Sequence, residues 1–395
     1  MRYAKVVLGL PVDEVFDYLV PEHFSKNCFV GCRVGVSFGR RNLIGYVVGM
    51  SLKTKIKKIK PISRLIDVKP TLDGNFLKLT EMVSDYYCSS WGQAIEAALP
   101  VGVRKGLAVG EERKTAPRLP LVRGGFLTSP ASSSTTLTTR GARTAEKYLP
   151  SFAYQLLPRE YAIGEVYCER IDVVLAQNKS VLILAPEIKQ CLKLFNVMKA
   201  KYPDKRIEVT YRKLKIREEL AVWEKAGNGW VDLLIGTRAA VFSPLPNLGL
   251  IIIEQEDSYG YKEEQSPYYH ARDVGFMRAR IEGIPLVLSS QTPSLDAYYA
   301  LREKKYSLIV TPPLTPPTRG GEIIRKDGPR ITLVDLKQYG KKRSGMLFSP
   351  VLEDKLNKAI PAGKKALIFI NRKGYANFAH CQKCGFVLSC DKCSS

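Results

Sequence analysis

The sequence predicts an α/β protein in which a small N-terminal β domain precedes a parallel sheet flanked by helices. Short strands broken by Gly, Pro and Asn fill residues 1–65. From about residue 164, strands alternate with helical stretches of roughly 10–15 residues, a pattern that indicates a parallel sheet with crossover helices. The length of 395 residues favours two or three domains over one.

The N-terminal strands are rich in Val, Ile, Tyr and Phe, and we expect them to form a small β-barrel or sandwich. A helix should follow over residues 76–87, where apolar side chains recur at helical spacing. We assign residues 1–103 to this first domain.

Two low-complexity segments interrupt the chain. Residues 104–150 are heavy in Ser, Thr, Pro, Gly and Arg and are interpreted as a linker, and residues 311–329 as a related Pro/Gly-rich insert. Each contains Arg-Gly-Gly, which leaves two interpretations: an element without function, or a basic arm that touches nucleic acid. Residues 151–310 then hold the parallel sheet, and residues 330–395 a further segment.

The carboxyl ends of the parallel strands are the expected ligand-binding edge of such a sheet. The apolar run at Ile251–Ile253 fits a central strand buried on both faces. The predicted strand ends carry Pro186-Glu187, Gly236-Thr237-Arg238, Glu254-Gln255-Glu256-Asp257 and Ser289-Ser290-Gln291-Thr292.

The charge balance favours a polyanionic partner. Lys and Arg number 61 against 38 Asp and Glu, a formal charge of +23, which is typical of nucleic-acid binding, although a merely basic soluble protein is the alternative. The longest apolar run, residues 248–253, is far too short to span a membrane, and the N-terminus lacks a secretory pattern. We therefore expect a cytoplasmic protein with no membrane partner.

Nine cysteines fall into two groups. Four lie within the last fifteen residues as two C-x2-C pairs: Cys381, Cys384, Cys390 and Cys393. Such pairs predict Zn²⁺ binding, either on one ion or as two half-sites, with a thiol-rich tail as the alternative. The other five, at positions 28, 32, 88, 168 and 191, are expected to be buried small hydrophobic residues.

Long segments of the chain resemble the primosomal protein N′ (PriA) family of replication-restart helicases. The matching segments are VFDYLVP (15–21), GCRVGVSFGRRNLIGYVVG (31–49), DYYCSSWGQAIEAALPVGVRKG (85–106), IGTRAAVFSPLPNLGLIIIEQEDSYGYKEEQSPYYHARD (235–273), IPLVLSSQTPSLDA (284–297) and NRKGYANFAHCQKCGFVLSCDKC (371–393). The resemblance implies a 3′-DNA-binding domain, a RecA-like P-loop-type helicase lobe, and the start of a second lobe with zinc-knuckle cysteines.

The resemblance also implies DNA-contacting residues. It places the 3′-terminal nucleotide in a pocket around Asp17, flanked by Phe16 and Tyr18, and makes Arg238 a phosphate contact. Basic residues near the pocket are further candidates: Arg40, Arg41, Lys57, Lys58 and Lys60. The alternative for Phe16 and Tyr18 is ordinary strand core, and for Arg40 and Arg41 a solvated turn. The alternating lysines of residues 53–60 suggest a strand or an extended edge. His270 is interpreted as a helix-start or packing residue.

The ATP-binding motifs of the family are degenerate in this sequence. Aligned without gaps, the Walker A motif falls on residues 157–164, so that Ile163 replaces its Lys and Gly164 its Thr, while Ala162 replaces a glycine. The Walker B tetrad reads Glu254-Gln255-Glu256-Asp257, in which Gln255 replaces the carboxylate that orients the attacking water.

The motif losses predict a protein that binds forked DNA and 3′ ends without ATP-driven unwinding. A partial gene product and a paralogue that holds forks are equally consistent with them, and both predict no ATPase. The alternatives are an active ATP-dependent 3′–5′ helicase and a non-enzymatic primosome adaptor. By resemblance, the expected partners besides DNA are primosome proteins, the replicative-helicase loader and single-strand-binding protein.

Overall fold

The computed structural model describes residues 2–67, 69–107, 152–157, 165–310, 332–335, 348–368, 379–380 and 387–388. The chain forms two compact units, Met1–Pro316 and Pro317–Ser395. Within the first unit we distinguish an N-terminal region (residues 2–107) and a parallel-sheet region (residues 152–310). Among the described helices, none combines the length and apolar character that crossing a bilayer requires.

The N-terminal region is built on a five-stranded antiparallel sheet in the order β2-β1-β4-β3-β5. Its strands are Arg2–Leu8 (β1), Phe16–Val20 (β2), Arg33–Phe38 (β3), Arg41–Ser51 (β4) and Arg64–Leu65 (β5). The edge strand β2 also meets the chain before β5: Leu19 N–H donates to the Lys60 carbonyl at 3.0 Å, and Ile62 N–H to the Leu19 carbonyl at 3.0 Å. This contact curls the sheet, so the predicted barrel is a half-barrel around an apolar core.

Three helices follow: Gly74–Tyr86 (α1), Trp91–Ala98 (α2) and Val101–Arg104 (α3). The predicted helix over residues 76–87 is α1, and it begins earlier because the Asp73 carboxylate caps it, accepting the Phe76 N–H at 2.7 Å. Helix α2 begins with a reciprocal capping box between Ser90 and Gln93.

The parallel-sheet region holds seven strands in the order β12-β6-β11-β10-β7-β9-β8. They are Phe152–Leu156 (β6), Ser180–Leu184 (β7), Ile207–Thr210 (β8), Leu233–Gly236 (β9), Leu248–Glu254 (β10), Leu286–Ser290 (β11) and Ser307–Val310 (β12). Every neighbouring pair in this sheet is parallel. All residues of β10 are buried, which confirms the central strand predicted at Ile251–Ile253.

The alternation of strands and helices predicted from residue 164 onward is confirmed. The helices are Cys168–Ala176 (α4), Ile188–Lys201 (α5), Ile216–Gly227 (α6), Ala271–Glu282 (α7) and Leu295–Arg302 (α8). Strands β6 and β12 were not predicted, because each is a run of only four or five residues beside charged or low-complexity sequence. They form one side of the sheet, where β12 pairs with β6.

One hydrophobic core joins the two regions of the first unit. Side chains on the buried face of α1, including Phe76 and Leu79, belong to the same cluster as Trp223 and Phe242 of the parallel-sheet region. The Phe76 and Trp223 rings meet edge to face, with centroids 6.2 Å apart and an interplanar angle of 89°. The regions therefore share buried apolar surface.

The scattered cysteines are mostly but not all buried. Cys28, Cys32 and Cys191 lie in the core and Cys168 is half-buried, whereas Cys88 is exposed. The expectation for Cys88 is wrong because this residue lies in the turn after α1, with a φ of 51°.

The second unit contains helix α9, Pro350–Ala359, whose N-terminus is capped by Ser349. It also contains a short antiparallel pair, Ala379–His380 (β13) with Val387–Leu388 (β14).

Candidate nucleic-acid interface and nucleotide edge

Asp17 lies on β2 with a carboxylate that is mostly enclosed but reaches the surface. Its side chain is 12% exposed and is held by two neighbours: the Lys5 ammonium at 3.4 Å from Oδ1, and the Thr54 hydroxyl, which donates to Oδ2 at 2.8 Å. Lys5 stands directly opposite Asp17 in the β1–β2 register. A carboxylate offers about four acceptor positions, so this one retains capacity for a further donor.

The two aromatic residues beside Asp17 differ in their surroundings. Phe16 is half-buried and packs edge to face on Phe38, with centroids 5.1 Å apart. Tyr18 is only 4% exposed, its hydroxyl donates to the Ser37 carbonyl at 3.2 Å, and burial raises its pKa. The structure thus places Tyr18 in the core, where it supports the strand, and leaves Phe16 nearer the surface.

Three of the predicted basic residues, Arg40, Arg41 and Lys60, meet at the turn between β3 and β4. Arg40 and Arg41 are exposed at the β3–β4 turn, which Gly39 makes with a φ of 58°. The Lys60 ammonium donates to the Gly39 carbonyl at 3.3 Å and so brings the lysine run to this turn.

The lysine run of residues 53–60 is not a strand. Strand β4 ends at Ser51, and only residues 60–62 run beside β2. The run lacks a buried face that would fix it in a sheet, since Lys53, Lys55, Lys57, Lys58 and even Ile56 are exposed. Thr54 and Lys60 connect its two ends to Asp17 and to the carbonyl of Gly39.

The segments interpreted from the sequence as degenerate nucleotide motifs have described residues, Leu157 and Glu254 among them, at the carboxyl edge of the parallel sheet. Leu157, just after β6, donates its N–H to the Ser290 carbonyl at the end of β11 at 2.9 Å. Ser289 pairs in register with Glu254, the last residue of β10. The remaining Walker A positions, Ala162, Ile163 and Gly164 among them, lie outside the described residues.

Glu256 is fully buried and its carboxylate is surrounded by donors. It accepts hydrogen bonds from the Arg272 guanidinium at 3.0 Å, the Ser294 N–H at 2.8 Å and the Tyr154 hydroxyl at 3.2 Å. Burial, reinforced by the charge of Glu256, raises the pKa of Tyr154. These bonds join the segment after β10 to β6, to α7 and to the N-terminus of α8, so the carboxylate has a structural role.

The rest of the tetrad is also engaged within the protein. Gln255, at a φ of 51°, accepts a hydrogen bond on Oε1 from the Gln190 amide at 2.9 Å. Asp257 accepts hydrogen bonds from the Ser290 hydroxyl at 2.5 Å and the Thr292 hydroxyl at 3.3 Å. Glu254 is 1% exposed. A neutral amide at position 255 has no basic site with which to activate water.

Arg238, the predicted phosphate contact, is already paired with a carboxylate. Its guanidinium lies 3.0 Å and 3.3 Å from the two oxygens of Glu263, and its side chain is 25% exposed. Burial alone would lower the pKa of Arg238, but the hydrogen bond and charge of Glu263 raise it.

A contact that the sequence analysis missed connects the N-terminal region to the parallel-sheet region. The Tyr87 hydroxyl donates to Asp273 Oδ2 at 2.8 Å and accepts the His270 N–H at 3.0 Å. His270 is the N-cap of α7, as predicted, and its Nδ1 accepts the Arg272 N–H at 3.3 Å. The sequence shows only that Tyr87 has a hydroxyl able to form hydrogen bonds. Its partners lie more than 180 residues away, so the sequence does not identify them.

The candidate zinc ligands Cys381, Cys384, Cys390 and Cys393 lie outside the described residues, so the zinc site stays a prediction. In sequence, β13 and β14 bracket the first C-x2-C pair.

Residues 5–100 match the domain family described as 3'DNA-binding domain (3'BD). The replication restart protein PriA of Bacillus subtilis (strain 168) is 33% identical over 229 residues, covering 58% of this chain and 27% of that protein. The PriA proteins of Treponema pallidum (strain Nichols) and Rickettsia prowazekii (strain Madrid E) are each 28% identical, over 99% and 100% of this chain and 57% of their own length.

Among solved structures, RecG bound to a three-way DNA junction overlaps 47% of this chain and 25% of its own, with 13% identity and a TM-score of 0.32, a likeness too low to carry an argument. The chain spans between 27% and 57% of the three relatives named above. Two of them match along essentially all of this chain, and its N-terminal domain matches separately, so the chain is similar to PriA replication restart proteins over both of its regions.

Proposed function

We propose that this protein binds forked DNA and seats a free 3′ end at Asp17, without ATP-driven unwinding. The observation that carries the proposal is the match of residues 5–100 to a 3′-DNA-binding domain, in which Asp17 presents a carboxylate with unused acceptor capacity. A 3′-hydroxyl is a donor that such a carboxylate accepts, whereas a blocked 3′ end lacks that donor.

The surrounding charges support a backbone-binding surface. Lys5 offsets the negative charge of Asp17, so that the approach of a phosphate is not opposed by a lone carboxylate. Arg40, Arg41, Lys57 and Lys58 are exposed, and Lys60 links the lysine run to the turn of Arg40 and Arg41. Contacts from such residues set affinity without reading sequence.

End recognition is tested by comparing forked DNA with free and with blocked 3′ ends. We expect Asp17→Ala to lose most of the preference for the free end, by about tenfold or more, because a hydrogen bond to a charged group contributes about 1.5–3 kcal/mol. Asp13→Ala, which removes an exposed carboxylate of the same region, is the matched control and should keep the preference. Equal binding of both DNAs by the unaltered protein would rule out end recognition.

The proposed absence of unwinding rests on the nucleotide edge. Residues 157–164 contain no lysine, Gln255 offers no carboxylate, and Glu256 is held by Arg272, Ser294 and Tyr154. ATP hydrolysis in such a site needs a lysine that neutralises the phosphates and a carboxylate that orients the attacking water, and Ile163 and Gln255 supply neither.

A phosphate-release assay with forked DNA tests the absence of ATP hydrolysis. We expect no DNA-stimulated turnover, and a rate of about 1 s⁻¹ or more, the lower end of ordinary enzyme rates, would contradict this part of the proposal.

A further inference from the structure

A strongly basic segment, called here the 211–217 loop, lies at the carboxyl edge of the parallel sheet and runs from the end of β8 into the first turn of α6. Residues 211–217 read Tyr-Arg-Lys-Leu-Lys-Ile-Arg and so contain four cations and no acid. Arg212, Lys213, Lys215 and Arg217 are all exposed. None of the predicted DNA-binding residues belongs to this loop.

The acidic residues nearest the loop are engaged elsewhere. Glu218 accepts the Lys215 backbone N–H at 3.2 Å, and Glu219 accepts the Val101 N–H at 3.2 Å. Glu263 is bonded to Arg238 and lies 3.8 Å from Arg212. The positive charges of Lys213, Lys215 and Arg217 are therefore left facing solvent without a paired carboxylate among the described residues.

The loop directly adjoins the N-terminal region. The Val101–Glu219 hydrogen bond joins the start of α3 to the first turn of α6. A methyl group added at Gly102 would stand 3.1 Å from Ile216 Cγ2, so the Ile216 side chain packs closely on the Gly102 backbone. Arg104 and Lys105, at the end of α3, are exposed as well and extend the basic surface across the boundary.

We propose that the 211–217 loop is a second contact for the phosphodiester backbone of DNA, which continues the DNA path from the N-terminal region onto the parallel-sheet region. Several exposed cations on flexible stems, spread along seven residues, suit a repeating polyanion better than a single small anion. The loop differs in this respect from Arg238 at the end of the adjacent strand β9. The charge of Arg238 is already paired with Glu263, whereas Lys213, Lys215 and Arg217 have no paired carboxylate among the described residues. This inference rests on the proposed DNA binding and adds the surface that holds the strand.

The test compares two triple variants in the full chain. Lys213→Ala/Lys215→Ala/Arg217→Ala removes the loop charges, and Lys179→Ala/Lys199→Ala/Lys201→Ala removes the same charge from exposed positions at or near the opposite edge of the sheet. Binding of labelled forked DNA is measured by fluorescence anisotropy between about 50 and 200 mM salt, the range over which counterion release is resolved.

We expect the loop variant to give a shallower slope of log affinity against log salt, by roughly 0.9 for each phosphate that the loop no longer neutralises and up to about 2.7 in all. The control variant should keep the slope of the unaltered protein. The loop variant should also keep the preference for a free 3′ end, because Asp17 is untouched.

Equal slopes for the two variants would overturn the loop proposal while leaving the proposed function intact. Failure of the unaltered protein to bind forked DNA would instead overturn the proposed function itself. If the loop variant loses binding to a poly-glutamate peptide while its DNA slope is unchanged, the loop is a protein-docking surface and the proposal is wrong.

Discussion

The two regions of the first unit use their charged residues in opposite ways. In the N-terminal half-barrel, Arg40, Arg41 and the lysines of residues 53–60 are exposed around a carboxylate that keeps acceptor capacity. At the nucleotide edge of the parallel sheet, Glu256 and Arg272 are turned inward and bonded to each other. The difference indicates that the first surface is suited to an external ligand, whereas the second holds strands and helices together.

The comparison also explains why degenerate motifs are compatible with a stable fold. A nucleotide site must leave carboxylates and cations unpaired for the ligand, which is costly when they are buried. Here Tyr154, Ser294 and Arg272 satisfy Glu256, so the sheet edge is stable without a ligand.

The largest effect on stability is expected at the carboxyl edge of the parallel sheet, where Arg272 binds Glu256. Arg272→Met leaves the fully buried Glu256 without its charged partner, and we expect the free energy of unfolding in urea to fall by about 3–5 kcal/mol. Arg302→Met, at an exposed position, should change it by no more than about 0.5 kcal/mol. If both variants unfold at the same urea concentration, the inward-facing charges are not structural and the contrast between the regions fails.

A smaller effect is expected at the boundary between the regions. Tyr87→Phe removes the hydroxyl that bonds to Asp273 and to the His270 N–H, which should lower the free energy of unfolding by about 1–3 kcal/mol. Tyr86→Phe is the matched control, since that side chain is largely exposed. If the two variants had the same free energy of unfolding, the hydrogen bonds of the Tyr87 hydroxyl would not stabilise the contact between the two regions.

The smallest effect on stability is expected in the half-barrel, where the consequence should appear only in DNA binding. Lys57→Ala/Lys58→Ala should leave unfolding unchanged and make the salt dependence of DNA affinity shallower by roughly 0.9 for each phosphate that is no longer neutralised. Lys26→Ala/Lys78→Ala removes two exposed lysines from elsewhere in the same region. If the two double variants gave the same slope, Lys57 and Lys58 would not contact DNA phosphates.

Local patterns predicted the elements well, because apolar spacing and capping residues act over a few positions. Helix α1 and the central strand β10 are examples, as is the N-cap role of His270. The lysine run was a less successful case: its alternation suggested a strand or an extended edge, and residues 53–59 form no strand, since their lysines and Ile56 are exposed.

The site could be predicted only as far as its chemistry is local. The sequence identified Gln255 as the replacement of a carboxylate, but the burial of Glu256 by Arg272 depends on a helix that begins after the tetrad. The Tyr87–Asp273 bond and the junction of Val101 with Glu219 join residues more than 100 positions apart. Such contacts follow from tertiary packing, which periodicity does not encode.

The hydrophobic core that includes both Phe76 and Trp223 has a consequence for how the protein unfolds. Because α1 buries its apolar face against the parallel-sheet region, a fragment ending near residue 103 would expose Phe76 and Leu79 to water. The two regions should therefore melt in a single cooperative transition, and DNA held by the half-barrel would raise the melting temperature of the parallel sheet as well.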